Sequence, residues 1–123
     1  MNTELLEQIY TSIKGAVSGT TSHVYYFDLP SDELLNEVTV TYEVNNTSNV
    51  STFEGEALKI FALEIKINVP SNNQLSILDQ LSIYIKQSVD CLSVNHIRLN
   101  NEDRFKDTEL NIYTMFLQYE LQY

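Results

Sequence analysis

His23, His96 and Cys91 are the side chains of this sequence that could lead a nucleophilic or acid–base mechanism. Such chemistry needs a base held beside its nucleophile and oriented by a third group. Neither histidine belongs to a recognisable motif, and both read as strand-face or surface residues. Cys91 follows Asp90 at the end of an expected helix. There the negative end of the helix dipole and the adjacent carboxylate both disfavour a reactive thiolate, so Cys91 reads as a small buried residue. A phosphate-binding loop needs clustered glycines, whereas the three here stand apart at 15, 19 and 55. Glu54, Glu56, Glu102, Asp103 and Asp107 fall in expected loops, but their spacing matches no calcium loop. They read as solvated acids. No catalytic residue, cofactor or metal is therefore expected, and the chain is not expected to be an enzyme. The eight tyrosines say more. A tyrosine joins a large apolar ring to a polar tip and is enriched where proteins meet.

Composition narrows the partners. At 123 residues with 43% hydrophobic content, the chain can close one core and no more, so residues 1–123 are expected to form a single domain. Seventeen acidic against seven basic residues give a net charge of −10. That balance opposes wrapping a phosphate backbone or docking on an anionic membrane. One cysteine permits no internal disulfide, which suits a reducing compartment. The opening MNTELLEQIY carries acids where a secretion signal needs basic residues, and no apolar run approaches membrane-spanning length. The expectation is a soluble protein.

The elements that must position these side chains follow from periodicity. Leu5, Leu6, Ile9, Tyr10, Ile13 and Val17 define one face of a helix over 3–17. The aromatic run 23–29 (HVYYFDL) predicts a strand ending at Pro30. Residues 37–44 alternate, with Val38, Val40, Tyr42 and Val44 on one side. The polar NNTSN at 45–49 predicts a mobile hairpin tip, and 56–69 predicts the returning strand with Leu63, Ile65, Ile67 and Val69 inward. Leu58 and Ile60 have the opposite parity, which predicts either a bulge near Ile60 or cover on both faces. Ser71 and Gln74 have capping-box spacing before a second helix over about 71–90, built on Leu75, Leu78, Leu81, Ile85 and Val89. Ile77 and Tyr84 form a further stripe two turns apart. A strand of uncertain register follows at 94–99, then an NNED turn at 100–103. A long final strand over 108–123 places Tyr113, Met115, Leu117, Tyr119, Leu121 and Tyr123 on one face.

The fold class is thus α+β in the order α-β-β-β-α-β-β. A mainly antiparallel sheet of about five strands carries both helices on one face.

Four pieces, LLEQIYTSIKGAV, VYYFDLP, ALKIFALEIKINVP running into SNNQLSILDQLSIYIKQSVD, and DRFKDTELNIYTMFLQYELQY, span almost the whole chain. In their order they resemble the tail-terminator proteins of long-tailed bacteriophages, also called tail-completion or minor tail proteins. In that family a strand leads into a helix crossing the sheet, and a charged turn precedes a long final strand with a tyrosine near its start. Asp107 to Tyr113 matches that arrangement. The resemblance implies a virion structural protein, a hexameric ring at the head-proximal end of the tail tube that stops tube growth and offers a head–tail joining surface. Its partners would be further copies of itself, the tail tube protein and the head–tail connector protein. It would be assembled in the host cytoplasm and would let DNA pass without binding it specifically. The implied contact residues are Phe53, Glu54 and Glu56 on the hairpin, Ile77 and Tyr84 on the second helix, and Tyr113. Six copies would carry six times the charge of −10, and an acidic channel would repel DNA from its wall.

The alternative is an acidic DNA mimic that inhibits a nucleic-acid enzyme. A mimic needs regularly spaced acids on one ridge, whereas Glu37, Glu43, Glu64, Glu109 and Glu120 are scattered among apolar residues.

Overall fold

The computed structural model describes residues 3–51, 57–73 and 75–123. Helix α1 spans Thr3–Val17 and β1 Val24–Tyr26; a short 3-10 helix, Asp32–Asn36, precedes β2 (Thr39–Ser51) and β3 (Ala57–Pro70). Helix α2 (Ser76–Val89), β4 (His96–Asp107) and β5 (Ile112–Gln122) complete the chain. The five strands form one sheet in the order β1-β2-β3-β5-β4. Among the described strands, only the β1–β2 pairing is parallel. The expected class and element order hold.

The core lies between the helices and one face of the sheet. Val40, Tyr42 and Val44 of β2, Leu63, Ile65, Ile67 and Val69 of β3, and Met115, Leu117, Tyr119 and Leu121 of β5 are buried. Against them pack Leu5, Ile9, Ile13 and Val17 of α1 and Leu78, Leu81, Ile85 and Val89 of α2. The period of two in the strands and of three to four in the helices brings these side chains together. Two polar ties lock the helices to each other and to the following loop. Ser88 Oγ donates to the Ser12 carbonyl at 2.8 Å, and the Ser93 amide donates to Gln8 Oε1 at 3.0 Å.

Several boundaries depart from the sequence reading, each for a local reason. β1 stops at Tyr26 rather than Leu29 because Phe27 turns to φ 73°, off the strand direction. The NNTSN segment is strand rather than loop. Asn45, Asn46, Ser48 and Asn49 pair with Ala62, Phe61, Ile60 and Lys59, so backbone pairing overrides polar side chains. The bulge offered for β3 near Ile60 is absent there, since Ile60 and Phe61 pair with β5 in unbroken register; the extra residue lies on the facing strand β2, between Asn46 and Ser48. Helix α2 begins at Ser76, and Leu75 at its start makes no side-chain cap. Ser71 instead donates its amide to the Asn111 carbonyl at 3.0 Å, tying the end of β3 to the last turn. Leu75, expected in the core, is exposed.

The NNED segment is also strand, a continuation of β4, with a register shift between Leu99 and Asn101 marking its one irregularity. The turn falls later. Asp107 Oδ1 accepts the amides of Glu109 and Leu110, both at 3.0 Å, and Asn111 takes the left-handed conformation at φ 58°. Asp and Asn are the residue types that favour those two roles. Glu102 and Arg104 are therefore strand residues, and both reach α2. Lys86 Nζ bonds Glu102 Oε1 at 2.6 Å, and Arg104 pairs with Asp79.

Candidate assembly surfaces

The polar face of the sheet, opposite the helices, is partly closed by the 27–38 segment. Thr21 Oγ1 donates to the Val38 carbonyl at 2.7 Å, and Ser31 caps the 3-10 helix by accepting the Glu33 amide. Beneath this segment Thr114 Oγ1 donates to Asn68 Oδ1 at 2.9 Å, and Asn68 Nδ2 reaches Thr39 Oγ1 at 3.4 Å. The chain of hydrogen bonds lets Thr39 and Thr114 be buried on three adjacent strands without orphaned hydroxyls.

Farther along the same face the sheet is open. Glu43 and Glu64 stand directly opposite on β2 and β3, and Gln118 of β5 stands opposite Glu64. Partial burial pushes the Glu64 carboxyl above the ordinary range; its hydrogen bond and charge repulsion with Glu43 add to this, and Lys66 offsets part of it. Phe27 and Asp28 overhang Thr41, Glu43, Glu64 and Lys66 to form a cleft of about 260 Å³. The Phe27 ring is 69% exposed on its left-handed backbone, an unusual conformation for a bulky residue.

At the entrance to β1, His23 Nε2 lies 2.6 Å from Glu37 Oε2, and its Nδ1 lies 3.0 Å from the Tyr25 hydroxyl. The contact links three ionisable side chains, but it joins the two ends of one loop and holds them to the sheet. His96 is exposed, as expected of a surface histidine. Cys91 is exposed too, which corrects the expectation of a buried thiol; it lies just past the end of α2, and its neighbour Leu92 is the residue that the core takes there. Glu102, Asp103 and Asp107 are strand residues and not loop acids. Among the described residues no three His, Cys, Asp or Glu side chains converge as metal ligands. Among them, too, no helix is long and apolar enough to cross a membrane.

The expected contact residues separate in space. Phe53, Glu54 and Glu56 lie outside the described residues. Ile77 is partly buried and packs against the core. Tyr84 is exposed, accepts a hydrogen bond from Gln80 at 3.0 Å, and with Ala16, Gln87 and Ser88 lines a shallow groove between α1 and α2. Tyr113 is half-buried beneath the Lys106 ammonium, 5.4 Å from its ring centroid.

Other aromatics gather where the sequence reading placed no site. Tyr26 meets Tyr42 edge-on with centroids 5.3 Å apart, and Tyr10 of α1 meets Tyr42 at 6.4 Å. The Tyr26 hydroxyl donates to the Val44 carbonyl at 3.3 Å and accepts the Val44 amide at 3.5 Å, so a side chain occupies the edge of β2 where β1 stops. VYYFDLP shows the aromatic density, but the use of Tyr26 as an edge cap depends on the parallel β1–β2 pairing.

No family model and no curated protein matches the sequence. Among solved structures, a chain in the virion of a native gene transfer agent (GTA) particle is similar over 93% of this chain and 90% of its own, with a TM-score of 0.67 and 8% sequence identity. At that identity the likeness is one of fold, and it extends over nearly the entire length of both chains.

Proposed function

We propose that this chain is a non-enzymatic structural protein of a phage-like particle. In this reading it assembles as a ring at the head-proximal end of the tail tube, ends tube growth and presents the surface that joins tail to head. The supporting observation is the fold shared from end to end with a component of a virion. Ring, tube and connector partners come from the resemblance to tail terminators in element order and in the Asp107–Tyr113 hairpin. The hairpin geometry is compatible with it, since the Asp107-capped turn leads directly into β5 with Tyr113 as its second residue.

Light scattering over a range of concentrations, followed by negative-stain imaging, tests the reading. Six copies of 14.2 kDa give a ring of about 85 kDa. Tyr84→Asp should weaken assembly while leaving the monomer folded, because Tyr84 is exposed; Ile77 is unsuitable for the same test because it packs on the core. A monomer at every concentration, with or without tail tube protein, would overturn the ring. Competition by that monomer for a nucleic-acid enzyme would favour the DNA mimic instead.

A further inference from the structure

We infer that neighbouring copies join head to tail by sheet extension, the outer edge of β4 in one copy adding to the outer edge of β2, residues 45–51, in the next. This inference rests on the ring reading and adds a backbone joint to the side-chain contact tested at Tyr84. Both strands offer an edge that no other described strand covers. β4 is the last strand of the sheet over all twelve of its residues. At the opposite side β1 covers β2 only at residues 40–42, and the Tyr26 hydroxyl takes the backbone of Val44. Beyond that point β2 continues to Ser51, paired on one side with β3 and met on the other by no described strand. Long uncovered edges invite pairing with another chain.

Charge selects these edges. The chain carries −10 overall, so most approaches between copies bring like charges together. Residues 45–51 (NNTSNVS) carry no charge, and β4 balances Arg98, Arg104 and Lys106 against Glu102, Asp103 and Asp107. At these edges two copies can meet without net repulsion. On β4 the charges are also largely held by its own chain, through Arg98–Glu120, Lys86–Glu102 and Arg104–Asp79.

Strand sense agrees. Following the pairings across the sheet, β2 runs opposite to β3, β3 opposite to β5 and β5 opposite to β4. β4 therefore runs opposite to β2. A neighbour that continues the sheet in the same orientation would bring its β4 against β2 in the antiparallel sense, the commoner mode of pairing. The free part of β2 begins level with Leu99, as Val44 opposes Leu63, which opposes Tyr119, which opposes Leu99. The neighbour must therefore shift along the strand direction, and a stagger of that kind is what closing a sheet into a barrel requires. Because the two edges differ, the contact is heterologous and continues to further copies rather than stopping at a pair, which is what a ring requires.

Amide hydrogen exchange on the wild-type protein, measured in its assembled and dilute monomeric fractions, tests the contact without a substitution that could unfold it. Half of the β4 amides are already bonded to β5. The other half, and the outer amides of 45–51, should slow by about tenfold or more on assembly. A ring in which both segments exchange as in the monomer would overturn the edge contact and leave the ring standing. A dimer protected in β4 alone would show that β4 pairs with itself and overturn the head-to-tail joint. Absence of any assembled species would overturn both the joint and the ring.

Discussion

Replacing Tyr119 by Phe should leave the protein unchanged at neutral pH and make it more resistant to alkali. The ring is 1% exposed, opposite Leu63 on one side and Leu99 on the other. Burial pushes its phenol from the ordinary 10.0 up to about 12, and the negative charges of Asp90 and Glu102 act in the same direction. In the unfolded chain the phenol ionises near its ordinary value, so between the two values the unfolded state holds fewer protons than the folded one. Stability falls with rising pH across that window. A difference of two pH units corresponds to about 3 kcal/mol in full, of which about 2 kcal/mol is lost by pH 12. Phe keeps the buried ring and removes the proton. Urea unfolding of both proteins from neutral pH upward should therefore give curves within about 1 kcal/mol of each other below pH 10. Above it the variant should gain progressively. Tyr42, also pushed up to about 12, remains in both and cancels from the comparison. A difference that does not vary with pH would refute the argument, because the Tyr119 hydroxyl would then ionise as it does in water.

Two other perturbations test the polar face of the sheet. Glu64→Gln should raise the melting temperature at pH 7, since the folded carboxyl lies above its ordinary range and ionisation there opposes folding. The gain should vanish in acid below the unfolded carboxyl range, where wild-type Glu64 is protonated in both states; a gain that persists there would locate the effect in packing. Phe27→Gly should change stability by less than about 1 kcal/mol, relief of the left-handed backbone being offset by the greater entropy lost from glycine. A loss of more than about 2 kcal/mol in denaturant melts would show that the Phe27 ring packs into the fold in solution.

The core was readable in the sequence because each element buries one face. Alternation in β2, β3 and β5 and the three-to-four spacing of Leu5, Ile9, Ile13 and Val17 each identify buried side chains directly. Strand ends were less readable. Asn45 to Asn49 resembles a loop by composition, but pairing with β3 supplies the hydrogen bonds that the polar side chains do not specify. Periodicity marks only the apolar start of β4, because its charged half faces α2 and solvent, and the Lys86–Glu102 and Arg104–Asp79 pairs join residues far apart in sequence. The assembly surfaces were the least readable. The position of a bare sheet edge depends on strand order, and the coverage of only three residues of β2 by β1 has no signature in either segment. Ile77 and Tyr84 share a helical stripe in sequence, yet the nearby core takes one and leaves the other exposed.

The strand order also sets the sequence of events as the chain leaves the ribosome. β2 and β3 form a hairpin from neighbouring segments, and β4 and β5 form another, but the seam between them joins β3 to a strand about fifty residues farther on. Until β5 has been synthesised, the central strand β3, with its apolar run IFALEIKINV, has one edge bare. α1 is complete by then and α2 emerges next, so the two helices can shelter the face of β3 but not its edge. Synthesis of β4 and β5 is thus the interval of greatest aggregation risk for a nascent copy. A pause or truncation within residues 91–111 would leave a folded hairpin whose exposed central strand can recruit the same segment from another nascent chain.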